Sequence, residues 1–309
     1  MLKYLIVQLD DMSPSFCHYS NNKTERNLIA LDVLRKGLVW AMKENLMVQF
    51  VYPDYKLPKE YLELIDSVDH IDIKPANDES DVAVFEGKAS LLNLKETIYP
   101  HIVLRLSKDE LFDSIDDIQK VLNIQTSLNI VITDIESFND EDYVSYKRVL
   151  EKLSTTIIEK MKAAKPVNIN LLTDRLLLST MKNCNAGDES VSLAPDGYFY
   201  ICPAFYFDGE ENIGSPVMGV SILNEQLYKL PNAPICRNCD AYQCKRCVWL
   251  NQKTTLEVNT PSHEQCVVSH LERNASRNLL KQIKEMKIIN TDKSIPEIDY
   301  LDPFDKIAR

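Results

Sequence analysis

The chain has 309 residues, 45% of them hydrophobic, with a formal net charge of -11 and a pI near 5.0. It is long enough to bury a large core in one domain or two, and an acidic chain without a long Lys and Arg run repels a phosphate backbone, so nucleic acid is excluded as the expected partner. Apolar residues nowhere run far enough to cross a bilayer, and no membrane partner is expected.

The opening segment MLKYLIVQLDDMSP reaches Asp10 and Asp11 after a short apolar stretch, with neither a basic leader nor a small-residue cleavage site, so it reads as a first β-strand of a cytoplasmic protein. Short apolar runs then alternate with segments of helical period, the pattern of βα units around a parallel sheet. Strands are expected at 2–8, 47–52, 70–74, 81–85, 101–106, 129–133 and 167–172. A helix is expected over 24–45, where Leu31, Leu34, Leu38 and Ala41 share a face. Further helices should begin near Pro58, Ser107 and Asn139, and Ser107 with Glu110 forms a capping-box pattern. This is fewer units than a closed eight-fold barrel needs, which leaves a partial (β/α) barrel or an open doubly wound sheet.

After about Asp174 the texture changes. Five of the seven glycines (Gly187, Gly197, Gly209, Gly214 and Gly219) gather there with five prolines, as in a small domain organised by metal rather than by a large core. A helix over 264–286 and a tail to Arg309 complete the chain. The expected division is an α/β domain over 1–175, a cysteine-rich metal domain over 176–270, and a C-terminal helix and tail over 271–309.

The eight cysteines sharpen this. Cys17 stands alone, while Cys184, Cys202, Cys236, Cys239, Cys244, Cys247 and Cys266 share one segment. A reducing compartment disfavours structural disulfides, which points these thiols toward metal. Cys236 with Cys239 and Cys244 with Cys247 each place two thiolates on one tight turn. Four residues separate the two pairs, less than the loop of about twelve that joins zinc-ribbon knuckles, so two neighbouring sites become attractive.

Cys184, Gly197 and Cys202, the run ICRNCDAYQCKRC and the final Cys266 resemble the seven-cysteine pattern of SPASM domains, which follow the radical S-adenosylmethionine barrel in enzymes that modify ribosomally made peptides. The phrase CNAGDESVSLAPDGYFYIC carries the likeness best, because a strand, a Pro-Asp-Gly turn and a returning strand bring two cysteines together. The resemblance implies up to two [4Fe-4S] clusters: Cys236, Cys239, Cys244 and Cys266 at one site, and Cys184, Cys202 and Cys247 at a second with an open position. The final spacings of four and two residues, where that family usually has five and three, keep zinc as the alternative.

The radical-enzyme motif CxxxCxxC is degenerate. Cys17 is present after the first expected strand, but Asn21 and Thr24 stand where the other two cysteines would be. MVQFVYPDY lacks a glycine-rich cofactor motif, and neither GxGxxG nor GxxxxGK occurs, so no site for S-adenosylmethionine or nucleotide is expected. With SFCHYSNN, the stretch LVWAMKENLMVQFVYPDY resembles the CXXX repeat peptide maturases, which process precursors with a cysteine at every fourth position. The resemblance implies maturation of a cysteine-containing precursor peptide without ordinary radical chemistry. The second possibility is a non-catalytic, metal-stabilised adaptor that presents the peptide to a separate modifying enzyme.

Catalytic candidates are few. Cys17 and His18 could act as nucleophile and base, although neighbours on a strand point to opposite sides. Asp134 and Glu136 come after an expected strand, where barrels place catalytic groups. His263 could join a metal site, His70 and His101 read as structural, and Phe199, Tyr200, Phe205, Tyr206 and Phe207 should wall the metal from solvent.

Overall fold

The computed structural model describes residues 1–76, 80–95, 97–181, 184–287 and 295. In chain order the elements are β1 (Tyr4–Gln8), α1 (Leu31–Lys43), β2 (Met47–Val51), α2 (Lys59–Ile65), β3 (His70–Pro75), β4 (Val82–Glu86), β5 (His101–Leu106), α3 (Lys108–Asp113), α4 (Ile115–Val121), β6 (Ser127–Ile132), α5 (Asp140–Lys162), β7 (Asn168–Ile169) and α6 (Asn170–Leu177). The cysteine-rich segment adds β8 (Ser190–Leu193), β9 (Phe199–Tyr200), α7 (Pro203–Phe207), a small antiparallel pair β10 (Gly214–Ser215) and β11 (Gly219–Val220), α8 (Val248–Thr255) and α9 (His263–Glu285).

Nine strands form one sheet in the order β7-β6-β5-β4-β3-β2-β1-β8-β9, with β1 to β8 mutually parallel and β9 antiparallel to β8. From β1 to β7 the order never reverses. A doubly wound sheet must reverse at its switch point, whereas consecutive winding is how a barrel is built, so the chain forms a partial barrel. Among the described residues it does not close: β7 and β9 are its two ends.

Strands β1, β4, β5 and β6 bury residues on both faces, so their apolar runs are nearly continuous, whereas β3 is mostly half-buried. Ile6, Val51, Ile73, Val84, Val103 and Val131, one from each of the first six strands, form a cluster on one face. On the other face Leu5, Val7 and Phe50 pack with Leu34, Leu38 and Ala41 of α1, while Leu104, Leu128, Ile130 and Ile132 pack with the buried sides of α4, α5 and α9.

Several expected boundaries hold for the expected reason. Ser107 and Glu110 make the capping box at α3, and Asn139 with Asp142 makes another at α5. Two boundaries differ by more than two residues. The helix expected from residue 24 begins at Leu31, because residues before it remain in a loop pinned by an Asp10–Leu28 bridge. The strand expected over 167–172 stops at Ile169: the Asn170 side chain bonds both backbone groups of Ile130, at 2.8 and 2.9 Å, and takes over the ladder so that the chain can turn into α6.

The hairpin of the cysteine-rich segment continues the main sheet, with β8 paired in parallel to β1. Its Pro195-Asp196-Gly197 turn requires the left-handed φ of +88° at Gly197. The tail expected after residue 286 lies outside the described residues apart from Lys287 and Ile295. Among the described residues no helix is long and apolar enough to cross a membrane.

Candidate functional site

No disulfide joins the eight cysteines, and the fold sorts them into two groups. Cys236, Cys239, Cys244 and Cys266 line a small cavity together with Met181, Pro261 and His270. A short 3-10 turn over Cys236–Asn238 folds the first pair so that Cys239 N–H donates to the Cys236 carbonyl. Backbone N–H groups of Ala241 and Arg246 point at the sulfurs of Cys239 and Cys244, at 3.5 and 3.4 Å. Arg246 adopts φ of +44°, the left-handed turn that carries the chain from one cysteine pair into α8. Cys266 comes from the first turns of α9, and one helical turn later His270 Nε2 lies 3.6 Å from Cys239 Sγ. Burial pushes the Cys236 and Cys239 thiols up to about 12. A metal binding here would therefore have to displace protons.

The second group lines a cavity of about 680 Å³. Cys184 precedes β8, Cys202 follows β9, Cys247 caps α8, and Cys17 arrives from the loop after β1. The cavity touches the first residues of β1, β2, β6, β7 and β8, namely Tyr4, Met47, Ser127, Asn168 and Ser190, so it lies at the N-terminal ends of the strands. The β1–α1 loop starts at the opposite end and descends into it. Desolvation raises the Cys17 thiol to about 11, and it raises Cys202 and Cys247 as well.

Lys245, between Cys244 and Cys247, faces this cavity with Asp174 and His18, its Nζ 3.3 Å from Asn129 Oδ1. His18 donates from Nδ1 to the Ile132 carbonyl at 2.8 Å, and desolvation, then the Lys245 charge, lowers its pKa to about 4, so the imidazole is neutral at pH 7. Arg105, buried on β5, donates from Nε to the Cys17 carbonyl at 2.9 Å and from Nη2 to the Tyr19 carbonyl at 2.6 Å, and pairs with Glu86. Neither cation was among the residues expected from sequence. The signal for Arg105 was a charge inside the apolar strand HIVLRL, and for Lys245 its place between ligand-spaced cysteines.

Of the sequence candidates, Cys17 and His18 share the cavity wall, because they lie in a bent loop rather than on a strand and need not point to opposite sides. Asp134 and Glu136 lie elsewhere. Asp134 accepts from the backbone of Lys108 at 2.8 Å and from Ser137, and Glu136 pairs with Lys253 at 3.1 Å. His263 is the first residue of α9, beside Phe138 and Tyr143, while His70 caps back onto the Val68 carbonyl. Phe199, Tyr200, Phe205 and Tyr206 are buried, and Phe207 stacks on Tyr19 with ring centres 5.6 Å apart.

Beside Cys244 and Lys245 lies a buried polar cluster. Glu272 of α9 accepts from Tyr146 at 2.6 Å and Gln243 at 3.3 Å, and burial pushes it up to about 7. Among the described residues no three His, Cys, Asp or Glu side chains stand in a geometry that would hold a single metal ion. The cysteine groups instead ring their cavities. Thiolate sulfur is the donor type that both iron-sulfur cubes and zinc take, so the donor chemistry of each group suits either.

No family model and no curated protein matches this sequence. The chain is similar in structure to anSMEcpe, an anaerobic sulfatase-maturating radical S-adenosylmethionine enzyme, solved with bound AdoMet: 13% identity, 92% of this chain and 96% of that one, TM-score 0.63. Native anSMEcpe with bound AdoMet and Cp18Cys peptide aligns at 14% identity over 93% of this chain and 100% of that one, TM-score 0.61. A looser match is Streptococcus suis SuiB bound to precursor peptide SuiA, at 11% identity over 84% of this chain and 75% of that one, TM-score 0.48. At such identities the likeness is one of fold alone.

Proposed function

We propose that this chain is a peptide-maturation protein that carries iron-sulfur clusters on its cysteines and acts on a ribosomally made, cysteine-containing precursor peptide held at the large cavity. One cluster would sit on Cys236, Cys239, Cys244 and Cys266, and a second on Cys184, Cys202 and Cys247. The observation that carries this reading is the sorting of seven cysteines, interleaved in sequence, between two separate cavities. Such clusters supply electron transfer or, at an open iron, Lewis acidity.

The residues around them would do the remaining work. Lys245 and Asp174 offer opposite charges to the ends or side chains of a peptide, and Asn129 and Asn168 line the same wall. The fold shared with a protein solved with a peptide supports a peptide as the occupant.

Chemistry without reductive cleavage of S-adenosylmethionine is supported by the loop after β1. Asn21, at a cysteine position of the radical motif, spends its side chain on the loop itself, donating to the carbonyls of Asp11 and Ser13 and accepting from Lys23 N–H. An amide so committed is no cluster ligand.

The test is an oxygen-free preparation with iron, sulfide and zinc measured per chain, then incubation with a synthetic peptide bearing cysteine at every fourth position, with and without S-adenosylmethionine. A mass change independent of S-adenosylmethionine is expected. Formation of 5′-deoxyadenosine would reject the non-radical part. Binding without any mass change would favour the adaptor, and zinc in place of iron would correct the cofactor.

A further inference from the structure

The three cysteines assigned to the second cluster leave one iron of a cube without a protein ligand, and an open position of that kind invites a substrate thiolate. The structure supplies another sulfur. Cys17 lines the same cavity as Cys184, Cys202 and Cys247, although it lies 167 residues before the first of them (184 minus 17) and starts from the other end of the barrel.

Its position is built rather than incidental. Arg105, only 4% exposed, grips the carbonyls of Cys17 and Tyr19 on either side of His18. His18 is tied to the last residue of β6 through Nδ1, and the Tyr19 ring stacks on Phe207, five residues after Cys202. The loop is thus fastened to β5, β6 and α7, and its thiol is held where the turn-rich segment presents its own.

We propose that Cys17 is the fourth ligand of the second cluster, so that the relic of the radical motif closes the auxiliary site. This inference rests on the cluster reading above. Loading the site costs four thiol protons and forms four sulfur–iron bonds, with no change in oxidation state at sulfur. A precursor peptide then meets the cavity wall near Lys245 and Asp174 rather than iron.

The experiment compares anaerobically reconstituted full-length wild type with Cys17→Ala by iron content and electron paramagnetic resonance, using 2-mercaptoethanol as the probe. Wild type should hold roughly eight irons, four for each cube, and its spectrum should not respond to the thiol. Cys17→Ala should keep the cluster on Cys236, Cys239, Cys244 and Cys266, while its second cluster gains a thiol-dependent signal and sheds one iron on mild oxidation. A wild-type spectrum that already shifts with 2-mercaptoethanol overturns the inference, and this arm needs no variant to fold. A variant indistinguishable from wild type overturns it too. Iron absent from both proteins instead rejects the cluster reading on which it rests.

Discussion

Arg175 of α6 holds Asp240, the residue after Cys239, through two bonds of 2.9 Å, Nε to the backbone carbonyl and Nη2 to the carboxylate, and both side chains are almost fully buried. Arg273 and Arg277 of α9 approach the same carboxylate at 3.4 and 3.6 Å. One acidic group thereby locks the loop between the paired cysteines to the last barrel helix and to α9. Asp240→Asn leaves cationic groups facing each other without their counter-charge, and breaking a buried pair from one side costs about 3–5 kcal/mol. The variant should unfold at markedly lower denaturant and, on the proposed assignment, lose the metal held at Cys236 and Cys239. Unchanged stability with full metal content would show that the pair does not hold the loop.

Arg105 poses a related test on the barrel side. Its planar fork serves two carbonyls and Glu86 at once, and a lysine cannot reproduce that geometry. Arg105→Lys should destabilise the protein by about 2 kcal/mol. It should also speed alkylation of Cys17 in the metal-free protein by about tenfold, since about 1.4 kcal/mol of lost restraint is enough for that factor. Mass-spectrometric mapping of the labelled thiol reads the effect, and equal rates in both proteins would contradict it.

On the proposed assignment, the two cysteine groups should fail independently. Cys202→Ala combined with Cys247→Ala should lose the second cluster and keep the first, whereas Cys236→Ala combined with Cys239→Ala should do the reverse, each retaining about half the iron of wild type, as expected of four irons per cube. Total loss of metal from either double variant would mean that the two sites assemble as one.

Glu272 gives the fold a pH signature. Its pKa rises from the ordinary 4.5 to about 7, chiefly because burial disfavours the carboxylate, while the hydrogen bonds from Tyr146 and Gln243 oppose the shift. Between those pH values the folded protein keeps a proton that the unfolded chain has released, so stability must fall as pH rises. The slope is at most about 1.4 kcal/mol per pH unit, and it should level off above about pH 7. Glu272→Gln removes this component, so denaturation curves of the two proteins from pH 5 to 8 should converge toward low pH and diverge toward high pH. Parallel curves would reject a protonated Glu272.

Some of this protein could be read directly from its residue order. Capping boxes at Ser107 and Asn139 are local, and their bonds form within three residues, so their positions are legible in the sequence. Alternation of apolar runs with helical segments likewise revealed the βα units, and the Pro-Asp-Gly turn revealed the hairpin. The split of seven cysteines came from likeness to a known pattern rather than from any local rule.

What the chain order could not carry was anything that depends on where a loop travels. Cys17 and His18 share a cavity wall only because Arg105 and Ile132, far along the chain, anchor the loop that bears them. Strand β7 ends at Ile169 because the side chain of Asn170 occupies backbone groups forty residues away. Local rules count neighbours within a turn or a strand, whereas these outcomes are set by hydrogen bonds and burial between distant segments. The residue order determined the barrel's repeating units and the thiols available. Only the tertiary structure decided that a cysteine from the first loop would stand among three from the turn-rich segment beyond the barrel.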